Sequence, residues 1–510
     1  MSASAGEARA PNRAMITVSV MLATIMQAID TTIANVALPY MQGTMSASLD
    51  QINWVLTSYI VAAAIMTPPT GWLAGRFGRK RLFLCSVVGF TISSVLCGLA
   101  GSLFEIVLYR LLQGLFGASL VPLSQAVLLD TYPREKQGSA MAMWGLGVTV
   151  GPILGPTLGG WLTDHYSWRW VFFINVPFGI LAVLGILTFL SETSRNRYAR
   201  FDWFGFSMLS IGLASLQMML DRGELLDWFG SSEIIVEAVL AGLGFYLFFA
   251  HSATAERPFV TPALFKDRNF TTGLIFIFSL AVVLYGSLAL MSPFLQTLMN
   301  YPVVTAGIAM APRGAGTMIA MSVVGRLIGR VDTRLLLIGG FSLTAWSLWM
   351  MTGFTPDVSE WTIIWIGTVQ GMGFGLLFVP LSTITFATLP PQLRNEATGL
   401  FSLLRNMGGS IGISVVTSLL ITNTQVNHAE IVNHVTAFSR QMDSAVIMRF
   451  WNPFTAVGQA ALNDEVTRQA TLIAYLNDYK LMMFVALVSI PMVLLMRKPR
   501  AMTSGPVALD

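Results

Sequence analysis

Runs of roughly twenty apolar residues, each closed by a short polar break, recur about fourteen times between Met15 and Met496. A run of that length crosses the ~30 Å hydrocarbon core of a bilayer as one helix. With no water there for backbone groups, a helix that satisfies itself is the expected answer. The pattern predicts spans near 15–38, 53–74, 82–101, 104–128, 138–161, 170–191, 203–220, 233–251, 271–297, 304–328, 333–353, 361–386, 397–421 and 475–496. The expected class is therefore an all-α membrane protein. Composition agrees: the chain is 54% hydrophobic and 11% charged, where soluble domains carry about a quarter charged residues. No segment is long and polar enough to form a soluble domain. A membrane domain of this size predicts passage of something across the bilayer.

The net charge of +4 would suit nucleic acid, but the placement of charge argues for orientation instead. When alternate loops are assigned to alternate sides, most of the 30 Lys and Arg fall together, with Arg13, Arg76, Arg79, Lys80, Arg81, Arg334 and Arg497 among them. Arg169, Arg222, Arg440, Arg449, Arg468 and Lys480 fall on the other side, and Arg110, Arg313 and Arg405 lie within spans. Basic loops stay cytoplasmic, so both termini are expected there. The run from Met15 is too long for a signal-peptide core and carries Asp30, so it reads as an uncleaved first span. Cys85 and Cys97 share one span and read as packing residues.

The chain also repeats itself. Gly71-Trp72-Leu73-Ala74-Gly75-Arg76 aligns with Gly325-Arg326-Leu327-Ile328-Gly329-Arg330, each after the second span of its half. Gln113-Gly114 followed by Val121-Pro122-Leu123-Ser124 aligns with Gln370-Gly371 followed by Val379-Pro380-Leu381-Ser382. Both pairs keep chain direction and order, as parallel repeats do when a substrate site lies between them near the midplane. The predicted organisation is a tail (1–14), a six-helix bundle (15–200), two inserted helices (201–255), a second six-helix bundle (256–500) and a tail (501–510). Within the second bundle, 422–474 is a long extracytoplasmic segment that mixes Phe438, Met442, Phe450, Trp451 and Phe454 with polar residues. It fits a helix lying on the membrane surface or a docking site for another protein.

Asp30 reads as the one carboxylate deep inside a span. An intramembrane acid faces a cavity or a partner. Asp30 and Arg110 lie about nine and seven residues from the outer ends of their spans, roughly 13 and 10 Å at 1.5 Å per residue, so the depths allow an ion pair. Burial raises a carboxyl pKa and a neighbouring Arg lowers it, so such a site can take up a proton; a fixed structural pair is the alternative. The repeat of Arg110 is Gly367, so the halves are not chemically equivalent. With Arg313 and Arg405 also inside spans, the interior is biased toward neutral or weakly anionic amphiphiles. Thr31, Asn35, Gln113, Gln370, Arg313 and Arg405 are the candidates for a substrate pathway.

Gly147, Gly151-Pro152, Gly155-Pro156 and Gly159 recur at four-residue spacing, which makes a smooth face for close approach of another backbone. Pro152 and Pro156 remove backbone donors and are expected to bend the span. The face reads as tight packing or as a hinge that seals one side of a pathway. Gly71, Arg76, Gly78 and Arg79 form a glycine-rich basic turn, read as a cytoplasmic gate. Gly408-Gly409-Ser410-Ile411-Gly412 spells a hydrolase elbow but sits in an apolar helix rather than a strand–turn–helix. His428 and His434 do not have helical ligand spacing, and no phosphate-cradling loop appears. No metal and no cofactor is expected; a proton gradient would supply the energy. An enzyme or a sensor would need a cluster of reactive groups or a soluble output domain.

These motifs together resemble the major facilitator superfamily, and within it the fourteen-span drug:proton antiporters of the EmrB/QacA type. Asp30-Thr31-Thr32-Ile33-Ala34-Asn35-Val36-Ala37-Leu38-Pro39 is similar to that group's first-span signature. Arg110 with Gln113-Gly114 resembles its fourth-span motif, whose arginine is implicated in proton coupling. Gly147 to Gly160 resembles the antiporter motif of exporters, and Trp168 to Pro177 (WRWVFFINVP) is also typical. The resemblance implies two six-helix bundles plus two inserted helices. It implies proton-coupled efflux of amphipathic small molecules or drugs from a bacterial cytoplasmic membrane, with lipid around it. The alternative is a dedicated exporter of one metabolite, siderophore, lipid or fatty acid. Some relatives work with a periplasmic adaptor and an outer-membrane channel. One departure stands out: the loop motif usually carries an acid where this chain has Gly75.

Overall fold

The computed structural model describes residues 12–193, 201–256, 258–328, 330–435, 451–452 and 454–497. Of the sequence expectations, most of the N-terminal tail, the C-terminal tail, Phe438, Met442 and Phe450 lie outside these residues. So do Arg195, Arg197, Arg200, Arg257, Arg440 and Arg449.

All fourteen expected spans fall on helix. They begin with α1 (Arg13–Met45), α2 (Leu49–Met66), α3 (Thr70–Phe77), α4 (Arg79–Leu99), α5 (Leu103–Gly117), α6 (Leu120–Thr131) and α7 (Arg134–His165). α8 (Trp170–Phe173), α9 (Asn175–Phe189), α10 (Trp203–Arg222), α11 (Ser232–Thr254), α12 (Ala263–Lys266) and α13 (Arg268–Pro293) follow, α13 continuing through a π turn to Leu298. α14 (Val303–Leu327), α15 (Thr333–Met351), α16 (Glu360–Phe386), α17 (Arg394–His434) and α18 (Ala456–Met492) are the remaining α-helices among the described residues. Among the described residues, eleven helices are long and apolar enough to cross a bilayer, and the bent pair α2–α3 makes twelve. The other two expected spans are α7 and α14, with 32 and 25 residues, enough for a ~30 Å core.

Local chemistry sets the breaks. Ser48 and Gln51 form a capping box that starts α2, satisfying donors the first turn leaves free. Thr67-Pro68-Pro69 ends it, and the chain bends 58° into α3. Gly78 has φ +95°, a conformation that suits glycine because it lacks a Cβ. That turn reverses the chain into α4. Ser102, Asp202, Asp267 and Ser359 cap α5, α10, α13 and α16 through their side-chain oxygens.

α1 packs on α7 and α9, α2 on α5, α13 on α17, and α14 and α15 on α16. The inserted pair α10–α11 pack on each other, and α10 also lies against α2 and touches α17. Thr57 donates to Asp221 there, and Arg222 sits 5.4 Å over the Trp54 ring.

The described parts of 422–474 mostly continue α17 and α18, while Phe438, Met442 and Phe450, on which a surface helix or a docking site was expected, lie outside the described residues. The two helices have 41 and 37 residues, about 60 and 55 Å at 1.5 Å per residue, far beyond the hydrocarbon thickness. The extensions pair with each other: Asn427 Nδ2 donates to the Ala470 carbonyl at 3.3 Å, and His428 Nε2 lies 3.1 Å from Asn463 Oδ1. Helix formation does not stop where hydropathy falls.

Candidate functional site

α1 carries Asp30 into the first half, where it is wholly buried. The Ser102 cap fixes the start of α5, and Arg110 and Gln113, three residues apart, share the face that meets it. Asn175 opens α9 where the chain leaves α8. Arg110 Nη1 donates to Asp30 Oδ2 at 2.8 Å, and Gln113 Nε2 and Asn175 Nδ2 donate to Oδ1 at 2.9 and 2.8 Å. Arg110 also donates to Gln113 Oε1 (2.7 Å) and, through Nε, to the Val55 carbonyl (3.1 Å). Ser94 Oγ accepts from Asn175 at 2.9 Å. The Tyr59 ring lies 4.3 Å from the guanidinium carbon. Ile29, Ile33, Val55, Cys97, Ile106 and Phe172 wrap the cluster in apolar side chains.

The pair that matched depths allowed therefore forms, and it forms dry. Two charges removed from water are tolerated because both are multiply hydrogen-bonded; removing one partner of such a pair costs about 3–5 kcal/mol. In this conformation neither end of the molecule gives solvent access to Asp30. Thr31 turns its hydroxyl back to the Ala28 carbonyl (2.9 Å), and Asn35 is exposed.

The second half differs. Arg313 on α14 is buried; its Nη2 donates to Ser287 Oγ at 2.7 Å and to the Leu284 carbonyl at 3.2 Å, and its Nη1 has no hydrogen-bond partner. Gln370 is wholly buried with neither amide atom bonded. Arg405 is buried, with Nε and Nη1 unbonded. Asp30 is not the only buried carboxylate: Asp478 on α18 is 1% exposed, with Oδ2 unbonded. Sequence reading passed over it because the last span was drawn from 475. The helix starts at Ala456, and the neighbouring Tyr479 hydroxyl lies 4.0 Å from Met291 Sδ, near the C-terminal end of α13.

The glycine face of α7 packs on α1 rather than on the other half. A Cβ on Gly151 would strike the Ala28 carbonyl, one on Gly155 the Thr32 side chain, and one on Gly159 the Ile33 side chain at 2.9 Å. Gly147 meets Met21. Thr32 Oγ1 donates to the Gly151 carbonyl at 2.9 Å. α7 runs unbroken through 152–156; the side chains of Pro152 and Pro156 lie outside the described residues.

Contacts between the halves gather toward the end that carries the basic loops. A Cβ on Gly71 would stand 2.6 Å from Glu396 Cα, and one on Gly325 2.9 Å from Ala142 Cβ, so each repeat of the loop motif touches the opposite half. Gly138 meets Ile328, Gly145 meets Met321, and Trp144 stacks on Phe378 with centroids 5.6 Å apart. Arg79 is buried and binds Asp130 at 2.7 Å; Arg394 from the other half binds the same carboxylate at 2.6 Å. Asp130 supplies an acid to this network although Gly75 cannot; Gly75 has open space around it. Arg76 is half-buried.

Sequence reading did not assign Asn175, Ser94, Asp130 or Arg394 to these clusters. Asn175 was visible as part of WRWVFFINVP, but nothing in the sequence aims it at Asp30. No cluster of three or more His, Cys, Asp or Glu suited to a metal occurs among the described residues.

Residues 20–413 match the family model described as Major Facilitator Superfamily. The chain is 41% identical over 428 residues to the Multidrug export protein EmrB of Escherichia coli (strain K12), covering 83% of each. It is 36% identical over 490 residues to the Fatty acid resistance protein FarB of Neisseria gonorrhoeae, covering 95% of this chain and 96% of that one. The crystal structure of the human organic anion transporter MFSD10 (TETRAN) superposes with a TM-score of 0.59 at 14% identity, over 93% of this chain and all of that one. At that identity the likeness speaks for the fold alone.

Proposed function

The chain belongs to the major facilitator superfamily, and from that premise we propose that it exports amphipathic small molecules, drugs among them, in exchange for protons. The observation that carries this reading is the dry cluster of Asp30, Arg110, Gln113 and Asn175. Asp30 and Arg110 act as the coupling pair. With Asp30 ionised, its charge and that of Arg110 cancel and the described packing is stable. A proton on Asp30 leaves Arg110 as a buried cation without a counter-charge, which costs a few kcal/mol. A penalty of that size shifts a two-state equilibrium by a hundredfold or more.

The halves meet at the basic end, read as cytoplasmic by the charge rule. The described packing is then closed to the cytoplasm, and once the outer end opens to Asp30 a proton from outside biases it toward reopening inward. Gly71, Arg76, Gly78 and Arg79 serve the gate, with Asp130 and Arg394 as its ionic contact. Gly147, Gly151, Pro152, Gly155, Pro156 and Gly159 keep α7 against the Asp30 helix. Residues 15–200 and 256–500 act as the two moving bodies, with 201–255 as an insertion between them. The site is the bacterial cytoplasmic membrane, with both termini cytoplasmic. Thr31, Asn35, Gln113, Gln370, Arg313 and Arg405 line or border the substrate path. The relative named for fatty acid resistance supports a second reading, a dedicated exporter of lipophilic acids. The long extensions of α17 and α18 offer a surface for a periplasmic adaptor.

The test is proton-gradient-driven efflux of a lipophilic weak acid and of ethidium from proteoliposomes holding the full chain. Wild type is expected to export the acid at least as well as the cation; Asp30→Asn is expected to lose the response to the gradient. Unchanged coupling in Asp30→Asn removes Asp30 from the scheme, and absence of gradient-driven transport in wild type removes the scheme itself.

A further inference from the structure

The second half holds an image of the Asp30 site with its parts redistributed. Arg313 precedes Gly325 by the same interval at which Tyr59 precedes Gly71. It therefore takes the place of the ring that stacks on Arg110. Ser287 precedes Gly367 by 80 residues, as Asp30 precedes Arg110. Gln370 repeats Gln113. The guanidinium has thus moved from one helix to its neighbour, the Arg110 position has become Gly367, and the carboxylate has become Ser287. A crevice of about 10 Å³, room for roughly one water, lies at this place, lined by Arg313, Gln370, Gly367, Met291, Met310 and Met351, and it would have to widen to admit a larger guest.

In the first half, the arginine and the glutamine amide together hold a carboxylate. In the second, both groups are more than nine-tenths buried and line the crevice, with Arg313 Nη1 and the whole Gln370 amide unbonded. Arg313 also lies over the Phe374 ring at 5.1 Å. Among the described residues no carboxylate pairs with it; Tyr479 is the ionisable side chain acting on it. A buried guanidinium with an unused donor favours an acceptor that is itself charged, since such bonds are roughly twice as strong as neutral ones. The methionines are soft, adaptable walls for an apolar body of varied shape.

We propose that Arg313 and Gln370 form a subsite for the carboxylate of a lipophilic monocarboxylic acid, which occupies the place that Asp30 holds in the first half. This deepens the exporter reading and rests on it. Full-length protein in nanodiscs is titrated with decanoate, methyl decanoate and chloride, and efflux of ethidium and of decanoate from proteoliposomes is measured in parallel. Decanoate is expected to bind about tenfold or more tightly than its ester, as a charge-assisted contact of ~1.5 kcal/mol or more implies. Arg313→Met is expected to remove that preference, Arg313→Lys to keep part of it, and Gln370→Leu to weaken it. Ser287→Asp supplies an internal carboxylate at the repeat of Asp30 and is expected to abolish decanoate binding; it carries the test should Arg313→Met fail to fold. Equal affinity for acid and ester, wild-type decanoate binding by Ser287→Asp, or displacement by chloride at equal concentration each overturns the proposal. Ethidium export without decanoate binding sinks the subsite alone, whereas failure to export either compound sinks the exporter reading.

Discussion

The two halves bury an arginine at corresponding places and treat it in opposite ways. In the first, Arg110 is neutralised by Asp30, ringed by amides and sealed by apolar side chains. In the second, Arg313 leans on a serine, a carbonyl and a ring, and keeps a free donor. The lesson is that a duplicated bundle need not duplicate its chemistry. One copy can close its charges upon itself, while the other leaves a buried cation with an unused donor.

The largest effect that sharpens this contrast is expected from Asp30→Asn. It leaves Arg110 buried and unpaired, so stability should drop by about 3–5 kcal/mol. Adding Arg110→Gln should restore much of the thermal midpoint in detergent without restoring gradient-driven flux. Recovery of flux in the double variant breaks the assignment of the pair. Next comes Asp130→Asn, which removes the carboxylate shared by Arg79 and Arg394. Losing charge-assisted bonds of this kind costs about 1.5–3 kcal/mol, so a cysteine placed at Gly399 should label faster from the basic end. An unchanged labelling rate means the carboxylate does not hold the halves together.

Gly151→Ala is expected to cost about 1–3 kcal/mol, typical of overpacking, because its methyl strikes the Ala28 carbonyl. Gly307→Ala on α14 meets nothing within 4 Å and should leave stability unchanged or raise it by up to about 1 kcal/mol, since alanine is the better helix former. Helix propensity favours alanine at both positions, so equal losses would show that contact with α1 does not set the result. The smallest effect is expected from Arg313→Met. With no ion pair to break, replacing the buried cation by a methionine should leave the melting temperature unchanged or raise it, the reverse of Arg110→Met. A drop as large as that of Arg110→Met would erase the difference between the halves.

Much of the architecture was legible because membrane burial writes itself into long apolar runs. Asp30 and Arg110 were paired from depth alone, since helical rise converts residue counts into height. Depth says nothing about azimuth, so Asn175, 145 residues away in sequence, could not be aimed at the carboxylate. The exchange of roles between Tyr59 and Arg313 was hidden for a related reason: repeats were sought by identity, and here the charge moved to a neighbouring helix. Asp478 was missed because a hydropathy edge was taken for a helix end. The glycine motif was recognised, but its partner was not. Small residues advertise a close approach without naming what approaches.

The direct contact of α7 with the turn below Asp30 has a mechanical consequence. Between the two backbones at Gly151 there is no side-chain layer to compress, and protein interiors yield little. The other end of the same helix is wedged against Ile328, Met321 and Phe378 of the opposite half. A fraction of an ångström of recoil at the carboxylate is therefore handed on undamped, as by a push-rod, and a stiff joint of this kind answers by snapping between positions rather than by bending.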